Sequence, residues 1–500
     1  MSKRALWLFC LGLLLVREAK GQNRFVYTND DSFSGPNTVS AFAVNADGSL
    51  SKISGSPFST GGVGAGGNGF GSSRRIAISL DGKFLYAAND GTNDVSSFSI
   101  NPATGVLTLI TGSPFPTGGN DAGGVSLAVS TDGRFVYASN ANSGNITILR
   151  VSNGSLQAAG SPVAAPGGTF PVDMKATADG KYLAVTLVSF SGGLVGMYNI
   201  GSDGSLSEVP GSPFADGNAA GGFTDSVDSN CAADRLFILN NSGLPLVDVF
   251  SIGAGGALSQ TPNSPYSTPG GGGGTLYLSP DEKRLLVGNQ QNSISVFSVA
   301  SDGSLTLVPN SPFPATGGAF LSGVATDAAS RFVYGAGFNN EVVGLTINPD
   351  GSVSPIAGSP FSTGRSGGLE ALAAYPPKTC STAIAVEIVI KPGSSPASIN
   401  AGGQGTMPVA ILSHRNFNAP AEVNPQSLTF GHSGNETSLA FCDSTPEDVN
   451  GDGLPDLVCH FTTKTAAFQA GDTQGILKGA TVDQHALIGA GPVQIVPPSQ

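Results

Sequence analysis

The chain has 500 residues, of which 71 are glycine and only 12% are charged, against roughly 25% in an average soluble domain. Its formal net charge of −12 argues against nucleic acid and anionic membranes as partners, because both attract basic surfaces. The exposed surface is therefore expected to consist of Ser, Thr, Asn and Gly more than of charged side chains.

Residues 1–21 have the pattern of a signal peptide. Lys3 and Arg4 precede an apolar run over residues 5–16, and Ala19 and Gly21 offer small residues at the cleavage positions, among the charged Arg17, Glu18 and Lys20. The run is shorter than the roughly 20 residues that a membrane-spanning helix needs. We therefore expect cleavage after Gly21 and export to the periplasm, the cell surface or the medium, with an uncleaved anchor as the alternative and no membrane span after cleavage.

A turn-and-proline phrase, typically Gly-Ser-Pro-Phe, recurs along residues 22–378. Its prolines are Pro57, Pro114, Pro162, Pro213, Pro265, Pro312 and Pro360. The spacing of about 50 residues matches one four-stranded propeller blade with its loops. The sequence therefore predicts an all-β fold whose first domain, residues 22–378, is a seven-bladed β-propeller.

Each repeat contains alternating runs that predict an antiparallel meander. In the third repeat these runs are residues 125–130, 134–140 and 146–151. The domain begins at a second strand, residues 24–28, while an extra first strand, residues 369–374, follows the last proline phrase. We predict that these two segments pair and close the ring, because pairing removes an open sheet edge.

A second domain follows the propeller. Residues 379–383 are interpreted as a linker and residues 384–500 as a small β-sandwich-like domain, because turns rather than helices separate its β-rich runs. Those runs are residues 385–390, 407–412, 427–430 and 457–461.

Four cysteines remain after the predicted cleavage, which permits two disulfides in an oxidising compartment. Cys442 and Cys459 are the favoured pair, because they bracket one turn-rich loop. Cys231 and Cys380 would then form the second pair, although the sequence leaves that pairing open.

One loop of the second domain has the spacing of a calcium site. Oxygen ligands would come from Asp448, Asn450, Asp452 and Asp456, with the backbone carbonyl of Leu454 between them. Position 12 of the loop is Cys459 instead of glutamate, so Glu447 or a distant residue would complete the shell. We predict a structural Ca²⁺ here, with a solvated Asp/Asn/Gly turn as the alternative.

The segments 25–29, 47–50 and 81–86 resemble the repeat motifs of bacterial lactonase-like seven-bladed propellers. This family includes 6-phosphogluconolactonases and YVTN surface proteins. The resemblance spans about residues 23–378 and implies the propeller fold and a lactonase activity. Related muconate-lactonizing propellers use histidine with arginine and glutamate at the central cavity. The second domain, in turn, resembles a domain found at the ends of exported bacterial and archaeal proteins.

The propeller has no histidine, because His414, His432, His460 and His485 all lie in the second domain. A lactone could still be opened by carboxylate-assisted attack of water, with arginine stabilising the oxyanion. The candidates are charged residues without counterparts in the sister blades. As catalytic residues we predict Glu370, Arg74, Arg75 and Arg365, as ligand-binding residues Asp173, Asp225 and Glu341, and as further upper-face charges Asp121, Lys175 and Asp228.

Solvated loop charges are the alternative interpretation of this set. By contrast, Lys83, Arg134, Lys181 and their counterparts recur at the start of nearly every second strand. A feature repeated around the ring is interpreted as architecture.

Two functions remain open from the sequence. The first is a non-catalytic, monomeric module that binds a polar small molecule, a carbohydrate or a cell-surface partner. Its upper face would present the amides of Asn29, Asn89, Asn140, Asn240 and Asn289. The second is a lactone hydrolase acting at the central cavity; neither function requires a cofactor in the propeller.

Overall fold

The computed structural model describes residues 23–31, 35–65, 74–119, 124–189, 192–216, 224–241, 246–317, 321–337, 339–365, 371–380, 384–414, 417–482 and 486–496. The chain forms two compact units, Met1–Thr379 and Cys380–Gln500. The predicted signal peptide lies outside the described residues. Within them, no helix combines the length and the hydropathy needed to cross a bilayer.

The described part of the first unit contains seven five-stranded antiparallel sheets, which confirms the predicted seven-bladed propeller. In blades II to VII the inner, second and third strands follow one another along the chain as a meander. Two short segments then pair with opposite ends of the third strand and together form the outer edge.

Blades I to IV are taken in chain order. Blade I has β1 (Phe25–Asn29), β2 (Pro36–Val44), β3 (Leu50–Lys52) and β4 (Phe58–Val63). Blade II has β5 (Ile76–Ile78), β6 (Phe84–Asn89), β7 (Asp94–Ile100), β8 (Leu107–Leu109) and β9 (Phe115–Pro116). Blade III has β10 (Leu127–Val129), β11 (Phe135–Asn140), β12 (Asn145–Ser152), β13 (Ser155–Ala158) and β14 (Val163–Ala164). Blade IV has β15 (Phe170–Ala176), β16 (Tyr182–Val188), β17 (Leu194–Ile200), β18 (Leu206–Glu208) and β19 (Phe214–Ala215).

Blades V to VII continue the series. Blade V has β20 (Thr224–Ser229), β21 (Arg235–Asn240), β22 (Leu246–Ile252), β23 (Leu258–Gln260) and β24 (Tyr266–Ser267). Blade VI has β25 (Gly273–Leu278), β26 (Arg284–Asn289), β27 (Ser293–Val299), β28 (Leu305–Leu307) and β29 (Phe313–Pro314). Blade VII has β30 (Leu321–Thr326), β31 (Phe332–Gly337), β32 (Glu341–Ile347), β33 (Val353–Pro355) and β34 (Phe361–Ser362). Two single 3₁₀ turns, Pro166–Gly168 and Ala254–Gly256, lie in the connections.

The ring closes as predicted from the sequence. Strand β35 (Ala371–Tyr375) is the inner strand of blade I and pairs antiparallel with β1, so that Phe25 lies opposite Tyr375 and Asn29 opposite Ala371. The inner strands β5, β10, β15, β20, β25, β30 and β35 contact one another in that order around the whole ring. They therefore form the wall of a central channel.

The proline phrase interrupts the outer edge of the blade, and its serine side chain accepts a hydrogen bond from the third strand at the interruption. In blade II, the backbone N–H of Ser97 on the third strand donates to Ser113 Oγ of the phrase at 2.9 Å. The same bond recurs at the serines Ser56, Ser212, Ser264, Ser311 and Ser359. The phrase thus satisfies a backbone donor that the broken outer strand leaves without a partner.

Tyrosines of the second strand tie neighbouring blades together. Tyr27 is buried and donates from its hydroxyl to the carbonyl of Gly105 in the next blade at 2.9 Å. Gly105 has φ +72°, and a Cβ there would lie 2.6 Å from the Phe25 ring. Tyr334 and Tyr137 make the equivalent bonds to Gly48 and Gly204.

The second unit consists of two sheets around one apolar core, which confirms a β-sandwich-like domain. Its strands are β36 (Ile384–Ala385), β37 (Ile388–Ile390), β38 (Ala397–Asn400), β39 (Thr406–Ile411), β40 (Val423–Gly431), β41 (Leu439–Cys442), β42 (Leu457–Thr462), β43 (Gln474–Thr481) and β44 (Ala486–Val496), with a one-turn helix α1 (Ala419–Glu422). One sheet has the order β36-β44-β43-β40, with β38 also paired to β44, and the other has the order β37-β39-β42-β41. The predicted run 385–390 is thus divided between the two sheets.

Candidate functional site

A cluster of charged side chains lies on the wall of the central channel. We define the channel cluster as Arg74, Asp173, Lys175, Asp228 and Lys378. Arg74 lies two residues before the start of β5, Asp173 and Lys175 belong to β15, and Asp228 belongs to β20. The cluster therefore joins side chains from blades II, IV and V with Lys378, which follows the closing strand.

Asp173 fixes the Arg74 guanidinium. The carboxylate is buried and lies 2.5 Å from Arg74 Nη1. It also accepts hydrogen bonds from the hydroxyls of Ser126 and Ser226, each at 3.1 Å, and from the backbone N–H of Val227 at 3.0 Å. Arg74 keeps 17% of its side chain exposed, so this anchored cation still faces the channel.

Asp228 is a carboxylate that neighbouring cations keep ionised. Lys175 Nζ lies 2.9 Å from its Oδ1, Arg74 Nη2 lies 3.6 Å from the same atom, and Leu278 N–H donates to Oδ2 at 3.0 Å. Burial alone would raise the pKa of Asp228, but Lys175, Lys378 and Arg74 together hold it well below its usual range. Asp228 is therefore a fixed negative charge and a poor proton carrier.

Asp225 lies on the same strand and behaves in the opposite way. Burial and the nearby charge of Asp173 raise the pKa of Asp225 to about 7, although a hydrogen bond with Asn241 opposes the shift. A β-bulge produces this position, because Thr224 pairs with Asn240 and Ser226 with Leu239, which leaves Asp225 outside the register. Asp225 can therefore exchange a proton near neutral pH.

Arg75 does not join its neighbour Arg74. Its side chain is 1% exposed and lies between blades, with Nη1 2.7 Å from Asp31 and 2.8 Å from Asp90. Asp31 accepts from the backbone of Ala65, and Asp90 accepts from the backbone of Val125. Burial raises the pKa of Asp90 to about 6, against the effect of Arg75. Arg75, Asp31 and Asp90 therefore link loops of blades I, II and III, and we interpret their role as structural.

The other predicted site residues are dispersed. Arg365 acts on the charge of Asp30, a buried carboxyl that accepts from Thr38 Oγ1 at 2.6 Å and Ser40 Oγ at 2.8 Å. Glu341 accepts from Asn339 at the start of β32. Glu370 and Asp121 lie outside the described residues, so the predicted role of Glu370 stays a prediction. Among the candidates, the structure brings together Arg74, Asp173, Asp225, Lys175 and Asp228.

The five asparagines expected to present amides on the upper face are buried, and that expectation is wrong. Asn89 Nδ2 donates to Asp94 at 2.6 Å and to Ser96 at 2.7 Å within its own blade. Asn29 donates to backbone carbonyls of Arg75 and Ala88. These amides cap the ends of the second strands, because the chain turns there and leaves polar groups that need partners.

Lys175 and Asp228, which the sequence singled out as charges without counterparts in the sister blades, occupy the same position of their inner strands. Lys175, Asp228 and Tyr277 lie opposite Ala184, Phe237 and Leu286 in their sheets. At the same position the other blades have Ala77, Ala128, Ala325 and Ala373. Lys378 has no such signal, because it follows the last repeat.

In the second unit, Cys442 and Cys459 form a disulfide between directly opposed residues of β41 and β42, as predicted. Cys231 and Cys380 belong to different units, and their predicted pairing stays a prediction. The predicted calcium loop is organised around Asp448, whose carboxylate accepts from the backbone of Gly451, Asp452 and Gly453. Asp456 is buried and accepts from the backbone of Ser413 and Val449.

The three loop aspartates do not meet the geometry of a preformed metal site. Within the described residues, Asp448, Asp452 and Asp456 do not bring one carboxylate oxygen each within 4.8 Å of the others. A cation would have to draw them together, and the loop's calcium binding remains a prediction.

Comparisons with known proteins agree with the propeller. A sequence model of the family described as "Lactonase, 7-bladed beta-propeller" matches residues 34–170 and 113–210. A curated 6-phosphogluconolactonase of Formosa agariphila is 44% identical over 86 residues, which are 16% of this chain and 23% of that protein. The match thus spans less than a quarter of that relative.

Solved structures extend the likeness to the whole propeller. A putative 6-phosphogluconolactonase from Bacteroides fragilis has a TM-score of 0.58 and 19% identity, covering 71% of this chain and 99% of that one. A periplasmic gluconolactonase from Pseudomonas aeruginosa has a TM-score of 0.52 and 19% identity, covering 68% and 98%. At such identities the shared property is the fold. The first unit is therefore similar to lactonase-type propellers.

Proposed function

We propose that the propeller hydrolyses lactones at the channel cluster, with Asp225 as the proton acceptor. The observation that carries this proposal is the position of the Asp225 carboxyl near Asp173, the anchor of Arg74, where burial and the charge of Asp173 raise the pKa of Asp225 to about 7. A propeller without histidine needs another group that can exchange a proton near neutral pH, and Asp225 meets that requirement.

In the proposed reaction, ionised Asp225 takes a proton from water as the water oxygen attacks the lactone carbonyl. Arg74 stabilises the negative charge that develops on the carbonyl oxygen. Collapse of the tetrahedral intermediate breaks the ring C–O bond, and Asp225 returns the proton to the leaving alkoxide. The product is the open hydroxy acid, and Asp173 acts as a positioning residue for the arginine.

The experiment is an assay of the purified mature chain against a panel of sugar and acyl lactones. We expect Asp225→Asn to lower turnover by about 10²-fold, the usual scale for loss of a general base. Arg74→Gln should reduce turnover by a similar factor through loss of the oxyanion partner. Asp132→Asn is the matched control, because Asp132 is a partly exposed carboxylate in a surface turn, paired with Arg134 at 2.7 Å.

The pH dependence follows from the raised pKa of Asp225. A general base works in its ionised form, so kcat/KM should rise as the pH increases through about 7 and level off above it. In Asp225→Asn the residual rate should lose this inflection. A wild-type profile that is flat between pH 5 and 8 would remove Asp225 from the mechanism.

A non-catalytic binding channel is the second candidate. Arg74 already has two carboxylate partners at 2.5 and 3.6 Å, which reduces the positive charge available to an oxyanion. A channel of paired charges and hydroxyls suits a polar small molecule or a carbohydrate. Calorimetric binding of sugar lactones or their hydroxy acids without turnover would favour this candidate, and loss of that binding in Arg74→Gln would locate it.

We also propose that the second unit is exported with its Cys442–Cys459 disulfide and binds a structural Ca²⁺ at residues 448–456. Support comes from the oxygen-rich spacing and from the organisation of the loop around Asp448. Disulfides persist in oxidising compartments, which agrees with export. Asp448→Asn with Asp452→Asn in the full chain should remove one bound calcium, and an unchanged calcium stoichiometry would contradict the proposal.

A further inference from the structure

One blade junction differs chemically from its counterparts. At three other junctions, a threonine lies at the outer edge and a serine or threonine of the following third strand donates to a backbone carbonyl at that point. These pairs are Thr60 with Ser96, Thr117 with Thr147, and Thr268 with Ser295. At the junction of blades IV and V the pair is Asp216 with Asp248.

The hydroxyls at the ordinary junctions act as donors. Ser96 Oγ donates to the carbonyl of Thr60 at 2.8 Å, and Thr60 Oγ1 donates to the carbonyl of Asn37 at 2.9 Å. An ionised carboxylate can only accept. The change to Asp216 and Asp248 therefore replaces two donors by two acceptors with a combined charge of up to −2.

Both carboxylates are buried, and one oxygen has no partner. Asp216 is 1% exposed and Asp248 is fully buried. Gln260 Nε2 donates to Asp248 Oδ1 at 2.7 Å, and Asn240 Nδ2 donates to Asp216 Oδ2. Within the described residues, Asp248 Oδ2 has no hydrogen-bond partner.

Among the described residues, the side chains that act on the charge of Asp248 are Asp216 and Gln260, and neither is a cation. Burial and the neighbouring charge of Asp216 raise the pKa of Asp248 to about 7, and the hydrogen bond from Gln260 opposes the shift. A buried carboxylate pair is costly unless it is protonated, paired or bound to a metal. The junction thus has the charge and the free oxygen that a cation would require.

We propose that the junction of blades IV and V binds a hard divalent cation, with Ca²⁺ as the fitting ion, through Asp216 and Asp248. Oxygen ligands alone suit calcium. The amides of Asn240 and Gln260 can offer oxygen instead of nitrogen after a half-turn, which would complete the protein ligands. Gln260 is exposed, so the ion has a route from solvent past this side chain.

The test uses the full chain with Asp448→Asn and Asp452→Asn, so that the loop of the second unit does not contribute. Calcium binding is measured by isothermal titration, and thermal unfolding is compared with calcium and with chelator. We expect this parent to bind one calcium at the junction and to unfold at a higher temperature with calcium, because the ion binds the folded state.

The decisive variants copy the sister blades. Asp216→Thr with Asp248→Ser should abolish the remaining bound calcium and its thermal shift, yet fold in chelator at least as well as the parent, since the buried charges are gone. Asp248→Asn keeps the shape and should also lose the ion. Asp94→Asn, which changes a carboxylate beside Asn89 in blade II, should retain it.

Two results would overturn the proposal. One is a parent that binds no calcium after the loop substitutions. The other is calcium stoichiometry and thermal shift that persist in both the sister-blade variant and Asp248→Asn. The proposal is independent of lactone hydrolysis, because the junction residues are not members of the channel cluster.

Discussion

The outer edges of the blades are alike, whereas their inner strands differ. Six outer edges use the same serine to receive a backbone N–H from the third strand. On the inner strands, one position has alanine in blades I, II, III and VII but Lys175, Asp228 and Tyr277 in blades IV, V and VI. The repeated residues therefore build the ring, and adjacent blades IV to VI supply the chemistry.

The residue of the second strand that lies opposite this inner position differs between the same two groups of blades. Where the inner residue is alanine, the opposed residue of the second strand is a tyrosine: Tyr27, Tyr86, Tyr137 or Tyr334. Three of these tyrosines tie their blade to a neighbouring turn. Blades IV to VI have Ala184, Phe237 and Leu286 instead. Blades IV to VI therefore lack the tyrosine at this position and have polar groups on the inner strand instead.

The largest effect on stability is expected at Arg75, the inner charge with a structural role. Arg75→Met would leave Asp31 and Asp90 buried without their shared cation and should lower the free energy of unfolding by about 3–5 kcal/mol. Denaturant unfolding measures this loss. Adding Asp31→Asn and Asp90→Asn to the Met variant should recover part of it. A loss below about 1 kcal/mol in Arg75→Met would remove the distinction between a structural Arg75 and a functional Arg74.

A smaller effect is expected at Asp228. Asp228→Ala removes the acceptor of Leu278 N–H and a counter-charge of Lys175, and should cost about 2–3 kcal/mol at neutral pH. Because the pKa of Asp228 is lowered in the fold, its contribution is present above the unfolded pKa of about 3.9 and is lost as the pH falls below it. Unfolding curves of the wild type and variant should therefore converge in acid. A gap of equal size in acid would contradict the assignment.

The features that could be predicted from the sequence are those that depend on repeated spacing. The seven blades, the pairing of β1 with β35 and the Cys442–Cys459 bond followed from spacing, because strand period and turn residues repeat with little dependence on distant partners. The divergence of Arg74 and Arg75 could not be predicted. Their partners lie on other blades, at Asp173 and at Asp31, and the choice depends on how the blades pack.

The same limit explains the asparagines. Their position at the end of five of the second strands was visible, but whether an amide faces solvent or caps a strand depends on a partner such as Ser96 that lies on the next strand. Their burial follows from the tight crossing of the chain at that point, where a backbone or side-chain acceptor is always near.

The smallest predicted effect tests the outer edge, and the chain supplies its own control. Ser113→Ala removes the acceptor of the Ser97 N–H and should cost about 1–2 kcal/mol. In blade III the phrase ends in Val163 instead of an aromatic residue, and Gly160 lacks the ring that packs on Gly112 in blade II. Ser161 is exposed, so Ser161→Ala should change the free energy of unfolding by less than about 0.5 kcal/mol. Equal losses of unfolding free energy for the two serines would mean that the phrase stabilises the blade through its turn and not through the serine hydrogen bond. The outer edges would then be alike in sequence only.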